Sequence, residues 1–349
     1  MFEQTQKTDI ASLGEFGLIN HLTQHINIKN KSTIKAAGDD AAVLDFKDQK
    51  TLISTDMLLE GIHFDLAFTP LKHLGYKAIQ VNLSDIYAMN GIASQVTVSL
   101  GFSSKFPLEA IEELYSGMLL ACEKFNVDLV GGDTTSSRQG LVISVTSIGY
   151  SDEKNIVYRN GAEEGDLICV SGDLGGAYMG LQLLEREKQV FLANPKIQPD
   201  LEGKDYIVER QLKPEARLDI VDLLAKMQIK PTAMIDVSDG LASEILHITK
   251  QSKKGCKIYE EKIPLDPMTV EQAREFGLDP TVCALNGGED YELLFTIKQS
   301  DYDRMKHDVD ISIIGYITEE SAGNYLITKA GNIHELKAQG WNAFTSTNS

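Results

Sequence analysis

The sequence predicts an α/β (α+β) protein of two domains, and three observations predict it. At 349 residues, the chain is longer than one average domain and shorter than three. Strand-like and helix-like hydrophobic patterns alternate through the first 150 residues. A polar connector, SDEKNIVYRNGAEEGD (Ser151–Asp166), then leads into a second run of the same kind. The expected division is therefore 1–150 and 151–349.

The elements follow in order. Thr51–Thr55 is a short strand, and Leu71–Asn90 carries Leu74, Ala78, Val81 and Met89 at helical spacing. Gln95–Gly101 alternates Val96, Val98 and Leu100 like a half-buried strand. Pro107 then opens a helix to about Phe125. Val127–Val130 and Leu141–Gly149 are two further strands, so the first domain layers its helices on one face of a sheet. Beyond the connector come a strand (Leu167–Val170), a glycine-rich turn and a helix (Ala177–Leu184). Glu185–Gln211 is charged and broken by Pro195, Pro199 and Gly203, which predicts a loop or insertion with little regular structure. Thr232–Val237 is a strand leading into a helix from Leu241, and Tyr291–Ile297 and Ile311–Ile317 are strands.

Composition narrows the function. Hydrophobic residues make up 42% and charged residues 24%, ordinary globular usage, so global disorder is not expected. No stretch approaches the roughly 18 apolar residues of a membrane helix. MFEQTQKTDI lacks the basic and apolar regions of a signal peptide, so a cytoplasmic location is expected. Thirty-three Lys+Arg against 51 Asp+Glu give a net charge of −18, which repels nucleic acid and anionic lipid. Cys122, Cys169, Cys256 and Cys283 form no CxxC pair, so neither a zinc knuckle nor a disulfide framework is indicated.

The carboxylates are gathered rather than spread. Asp85 falls between Val81 and Met89 on the stripe begun by Leu74, and a buried unpaired charge calls for a cation nearby. Asp39 and Asp40 sit in AAGDDAAVL, Asp56 ends TLISTD after Ser54 and Thr55, and Asp133 lies in LVGGDT. Asp236 and Asp239 frame IDVSDG, and Glu289 and Asp290 follow two glycines in NGGEDYELLF. Any one of these acids reads as a cap or turn residue. Their recurrence after small residues at strand ends, in both halves, is what a ligand crevice requires. Oxygen donors, the Thr55 hydroxyl among them, suit Mg²⁺ rather than zinc, and Mg²⁺ typically shares its coordination with substrate phosphates.

The phosphate side is thinner. The chain has no GxxxxGK[ST] and no protein-kinase signature set. The glycines of VSGDLGGAYMG (Val170–Gly180) either cradle an anion with their N–H groups or make a tight turn. Arg159 is the cation most readily placed on a phosphate, and His63, in LEGIHFDL, is a base, a substrate contact or a structural histidine. No Ser–His or metal–His constellation is present.

GEFGLI, GDDAAV, ISTDMLLEGIHF, VNLSDIYAMN, VGGDTT, RNGAEEGD, IDVSDGL and GGEDYELLF occur in this order from Gly14 onward. Together they resemble the thiamine-monophosphate kinase family of the aminoimidazole ribonucleotide synthetase-like superfamily. The resemblance implies a two-domain fold of that superfamily whose N-terminal sheet pairs with its twin in a homodimer. It implies ATP-dependent phosphorylation of thiamine monophosphate with several Mg²⁺ ions. Carried onto matching positions, Asp40, Ser54, Thr55, Asp56, Asp85, Asp133, Asp236 and Asp239 would bind Mg²⁺. Tyr115, Gly132, Arg159 and Ser238 would contact ATP, and His63, Glu289 and Trp341, in GWNAF, would meet the thiamine end. The attacking phosphate oxygen is already anionic, so direct in-line transfer needs no general base. The alternatives are another ATP-dependent enzyme of the superfamily and a non-catalytic nucleotide- or Mg²⁺-binding regulator on the same scaffold.

Overall fold

Two units divide the chain: Met1–Ile86 with Gly91–Lys154, and Tyr87–Asn90 with Asn155–Ser349. The computed structural model describes residues 21–22, 24–35 and 43–339. GEFGLI, Asp39, Asp40 and Trp341 lie outside the described residues.

The first unit contains β1 (Thr33–Lys35), β2 (Val43–Leu44), β3 (Lys50–Leu59), α1 (Leu71–Ala88), β4 (Ile92–Phe102), α2 (Leu108–Phe125), β5 (Asp128–Ser136) and β6 (Val142–Ser151). β1 and β2 pair with each other, and the other four strands form a sheet in the order β3-β6-β4-β5. β4 and β5 run parallel, which their crossover helix α2 permits; the other pairs are antiparallel. Burial alternates residue by residue along β6, as it must when one sheet face packs and the other does not. α1 lies on the packed face: its Asn82 accepts the Asp56 N–H (3.0 Å) and the Ser147 hydroxyl (2.9 Å) through its side-chain and main-chain oxygens. α1 and α2 meet through glycines, since a Cβ on Gly75 would overlap the Leu114 carbonyl and one on Gly117 the Lys72 carbonyl. The open face carries Ile53 and Met57, 68% and 54% exposed. The last turn of α1 groups with the second unit, tied there by Val157 N–H to Met89 O and Asn90 Nδ2 to Asn155 O.

The second unit contains β7 (Leu167–Ser171), α3 (Gly176–Ala193), α4 (Asp205–Leu212), α5 (Leu218–Lys226), β8 (Ala233–Asp236), α6 (Leu241–Ser252), β9 (Lys254–Tyr259), α7 (Pro267–Glu275), α8 (Pro280–Asn286), β10 (Leu293–Ile297), α9 (Tyr302–Met305), β11 (Ile311–Glu319), β12 (Asn324–Ile327) and β13 (Ile333–Glu335). Its seven strands form one mixed sheet, β13-β12-β9-β11-β7-β10-β8. Ile168, Val170, Ile235, Leu241, Ile245, Ile258, Leu294 and Ile314 build its core.

The expected loop over Glu185–Gln211 is corrected. α3 continues to Ala193, and α4 adds two turns before Leu212. The charges misled because they line the less buried side of α3 while Leu183 and Leu184 pack inward. Glu187 is buried too, held by Arg186 Nε at 2.9 Å and by the Asp200 N–H at 2.8 Å. Only residues 194–204, which contain Pro195, Pro199 and Gly203, form a connector.

Candidate functional site

In the first unit the period of a β-strand decides which side chains can meet. Ser54 and Asp56 share the face of β3 that looks at α1, and the Ser54 hydroxyl donates to Asp85 Oδ2. Asp85 is the point where α1, buried almost all round from Leu74 to Ala88, opens to a half-exposed surface. The apolar stripe invoked for Asp85 is thus one side of a helix buried on every side; the partner across from it marks the site. Partial burial and the neighbouring Asp85 push the Asp56 carboxyl up to about 6, although the residue is exposed. Two carboxylates that resist simultaneous ionisation form a site that a cation would relieve.

Thr55 stands on the opposite face, with its hydroxyl donated to Val145 O (3.0 Å) and accepting from Thr146 Oγ1 (3.1 Å). Alternation thus sets the Thr55 hydroxyl on the face away from Asp85, engaged within the sheet. Asp133 also lies apart. It shares a lateral row with Ser99, Ser144 and Met57, three strand spacings from β3, or about 14 Å. Gly132 serves the sheet, because a Cβ there would overlap the Val98 carbonyl of β4. Tyr115 packs on the buried side of α2, where burial pushes its phenol up to about 12. His63 sits just past β3, and its Nδ1 accepts the Leu59 N–H at 3.1 Å, which fixes the ring in the turn.

In the second unit two loops interlock. Val237–Gly240 follows β8, and Gly287–Tyr291 precedes β10, its neighbour in the sheet. Glu289 N–H donates to Ser238 O (2.7 Å) and Tyr291 N–H to Val237 O (2.9 Å). Glu289 and Tyr291 adopt left-handed backbone, φ +67° and +53°, a conformation rare for residues other than glycine. Asp236, Ser238, Asp239 and Glu289 are thereby brought together. Arg159 lies close enough to counter the upward push that burial gives Asp239, as does His247.

Glu244 and His247 of α6 went unnoticed in the sequence. The Asp239 N–H donates to Glu244 Oε1 at 3.1 Å. Burial, then Asp236 and Asp239, push the Glu244 carboxyl up to about 8. Glu244 is the fourth residue of α6, whose N-cap is Gly240, so this bond lies outside the capping-box spacing and no sequence signal marked it.

Asp290 has a different task. Its carboxylate is fully buried and accepts the Gly175 N–H (2.7 Å) and Ala177 N–H (3.1 Å) at the start of α3. Those donors belong to the glycine-rich turn read as a possible anion cradle, and the protein's own carboxylate fills them. Arg210 of α4 reaches Glu292 Oε1 (2.9 Å), the Asp173 carbonyl (2.9 Å) and Asp290 Oδ1 (3.4 Å). Arg217 and Ser171 also donate to Glu292.

Among the described residues, no three His, Cys, Asp or Glu side chains are arranged to hold a metal ion by themselves. Oxygen donors that leave coordination incomplete are what a phosphate-sharing Mg²⁺ uses. Ser54, Asp56 and Asp85 are donors of that kind in the first unit, and Asp236 and Asp239 in the second.

Residues 38–151 match the family model described as AIR synthase related protein, N-terminal domain. The match falls almost wholly within the first unit. A hydrogenase maturation protein, HypE, in complex with ATP shares the fold, with a TM-score of 0.72 at 18% identity over 93% of this chain and 95% of that one. The chain is 34% identical over 335 residues to thiamine-monophosphate kinase of Aquifex aeolicus, covering 96% of this chain and 99% of that protein. With the Bacillus subtilis enzyme of the same name it is 33% identical over 341 residues, 95% and 100% of the two chains. The structure of AaThiL complexed with AMPPCP and TMP superposes with a TM-score of 0.73 at 32% identity, covering 96% of this chain and 98% of that one. The chain belongs to the thiamine-monophosphate kinase family.

Proposed function

We propose that the protein transfers the γ-phosphoryl group of ATP to the phosphate of thiamine monophosphate, giving thiamine diphosphate. The observation that carries this reading is that AaThiL, matched over 98% of its length, is complexed with both an ATP analogue and TMP. The acceptor is an anionic phosphate oxygen, so the protein has no proton to remove from it. What the residues must do is hold two polyphosphates together against their repulsion.

Ser54, Thr55, Asp56, Asp85 and Asp133 of the first unit, with Asp40, and separately Asp236, Asp239 and Glu244 of the second, are the oxygen donors we assign to Mg²⁺ ions. Bound Mg²⁺ would supply charge neutralisation between donor and acceptor phosphates. Arg159, Ser238, Tyr115 and Gly132 are the residues we assign to ATP. Glu289, His63 and Trp341 meet the thiamine end, where a carboxylate and an indole suit a cationic thiazolium.

Among the described residues, no helix is long and apolar enough to cross a membrane. The uncovered face of the first unit's sheet, with Ile53 and Met57 outward, supports a homodimer in which two such faces meet. The test is direct: purified full-length protein with ATP, Mg²⁺ and thiamine monophosphate should yield thiamine diphosphate. ATP turnover that does not depend on the thiamine phosphate would overturn the assignment.

A further inference from the structure

Two consecutive residues of α4 hold the loop that carries Glu289. Arg210 engages Asp290 and Glu292, while Gln211 Nε2 donates to Glu289 Oε2 at 2.8 Å. Gln211 is 5% exposed, so its amide is confined by packing and cannot swing away. On the other side of the loop, Ser238 O and Val237 O accept the Glu289 and Tyr291 N–H groups. The left-handed backbone at Glu289 is therefore gripped from both sides, and its carboxylate is aimed by a side chain 78 residues away in sequence.

The chemistry of the donor matters. An amide hydrogen bond fixes a carboxylate's orientation without cancelling its charge, whereas a guanidinium in the same place would do both. α4 carries both kinds of donor side by side and directs its arginine to Asp290 and Glu292, which are fully or almost fully buried. The half-buried Glu289 receives the neutral one. A carboxylate so held is oriented by a neutral donor, as recognition of a cationic heterocycle requires.

We infer that Gln211 is a positioning residue for the thiamine end of the site, acting through Glu289. This rests on the assignment of Glu289 to that end. It predicts an effect confined to one substrate, because the nucleotide end is held by residues Gln211 does not reach through this bond.

The test is steady-state kinetics of the full chain with each substrate varied, alongside thermal melting. Gln211→Met keeps the length and apolar stem and removes the donor. It should raise KM for thiamine monophosphate by roughly tenfold, a factor equivalent to about 1.4 kcal/mol, and leave KM for ATP and the melting temperature near the parent values. Glu289→Gln should raise the same KM at least as much, and the double variant should be no worse than Glu289→Gln alone. An unchanged KM in Gln211→Met beside a raised KM in Glu289→Gln overturns the role of Gln211 and leaves the reading of Glu289 standing. An unchanged KM in Glu289→Gln overturns that reading and this inference with it. Should Gln211→Met fail to fold, Gln211→Glu decides: it keeps the shape and places like charges together, so its KM for thiamine monophosphate should rise further, and a parent-like value refutes the inference.

Discussion

Replacing Arg210 by Met should destabilise the second unit strongly, and more so above pH 6 than below it. The guanidinium has 14% side-chain exposure and serves Glu292, Asp290 and the Asp173 carbonyl. Burial works against its charge, but Glu292, Asp290 and Asp173 together outweigh it and keep the guanidinium firmly cationic. Met fills a similar volume and removes every donor. Glu292, 2% exposed, would keep Arg217 and Ser171, while Asp290, fully buried, would keep only two backbone N–H groups. Breaking a buried ion pair from one side costs 3–5 kcal/mol, and the surviving partners of Glu292 place this case near the lower end, about 3 kcal/mol. For a unit of this size that is a fall in Tm of roughly 6–12 °C. The pH dependence follows from Asp290, whose carboxyl burial raises from 3.8 to about 6 even with Arg210 beside it. A raised carboxyl value means that folding disfavours the ionised form. The penalty is absent below the ordinary value and complete above the folded one. Without Arg210 the folded value rises further, so the extra penalty opens above about pH 6 and is small near pH 5. Melting followed by circular dichroism at pH 8 and pH 5, parent against variant, measures it. A loss of the same size at both pH values, or one below about 1 kcal/mol, would refute the reasoning.

Asp85→Asn should abolish turnover or raise the Mg²⁺ requirement many-fold with the fold intact, since the isostere keeps volume and removes one of two crowded carboxylates; a Mg²⁺ titration of activity checks it, and parent-like activity at limiting Mg²⁺ returns Asp85 to a structural role. Transfer from ATP chirally labelled at the γ-phosphorus should proceed with inversion, whereas retention would require a phosphoenzyme and a nucleophile. Trp341→Ala should weaken thiamine monophosphate by roughly tenfold per 1.4 kcal/mol of stacking and cation–π energy lost, with ATP affinity preserved; isothermal titration with each ligand separates this from general loss of packing.

The regular elements were legible where periodicity was clean. β6 alternates inside and outside along its whole length, and α2 ends within a residue of its predicted limit. α4 was not legible because eight residues carrying three charges offer little pattern, and its value is tertiary: Gly180 of α3 lets it approach closely enough to contact the loop before β10. The site was legible as a set of acids and illegible as a set of directions. Period two along β3 places Ser54 and Asp56 on one face and Thr55 on the other, a distinction the sequence itself carries.

No such signal separates Glu289 from Asp290. They are adjacent acids after the same two glycines, and composition gives both an equal claim on a ligand. The backbone decides between them. Left-handed φ values at 289 and 291 turn the chain so that Asp290 points inward to the start of α3, and Glu289 lies against Gln211 at a half-buried edge. The inward acid supplies rigidity to the loop, and that rigidity lets the outward one keep a fixed aim. A substitution at Asp290 should therefore appear first in stability and only then in substrate affinity, while one at Glu289 should do the reverse. Two neighbours of identical charge thus divide one task, and the division rests on dihedral angles that only the folded loop imposes.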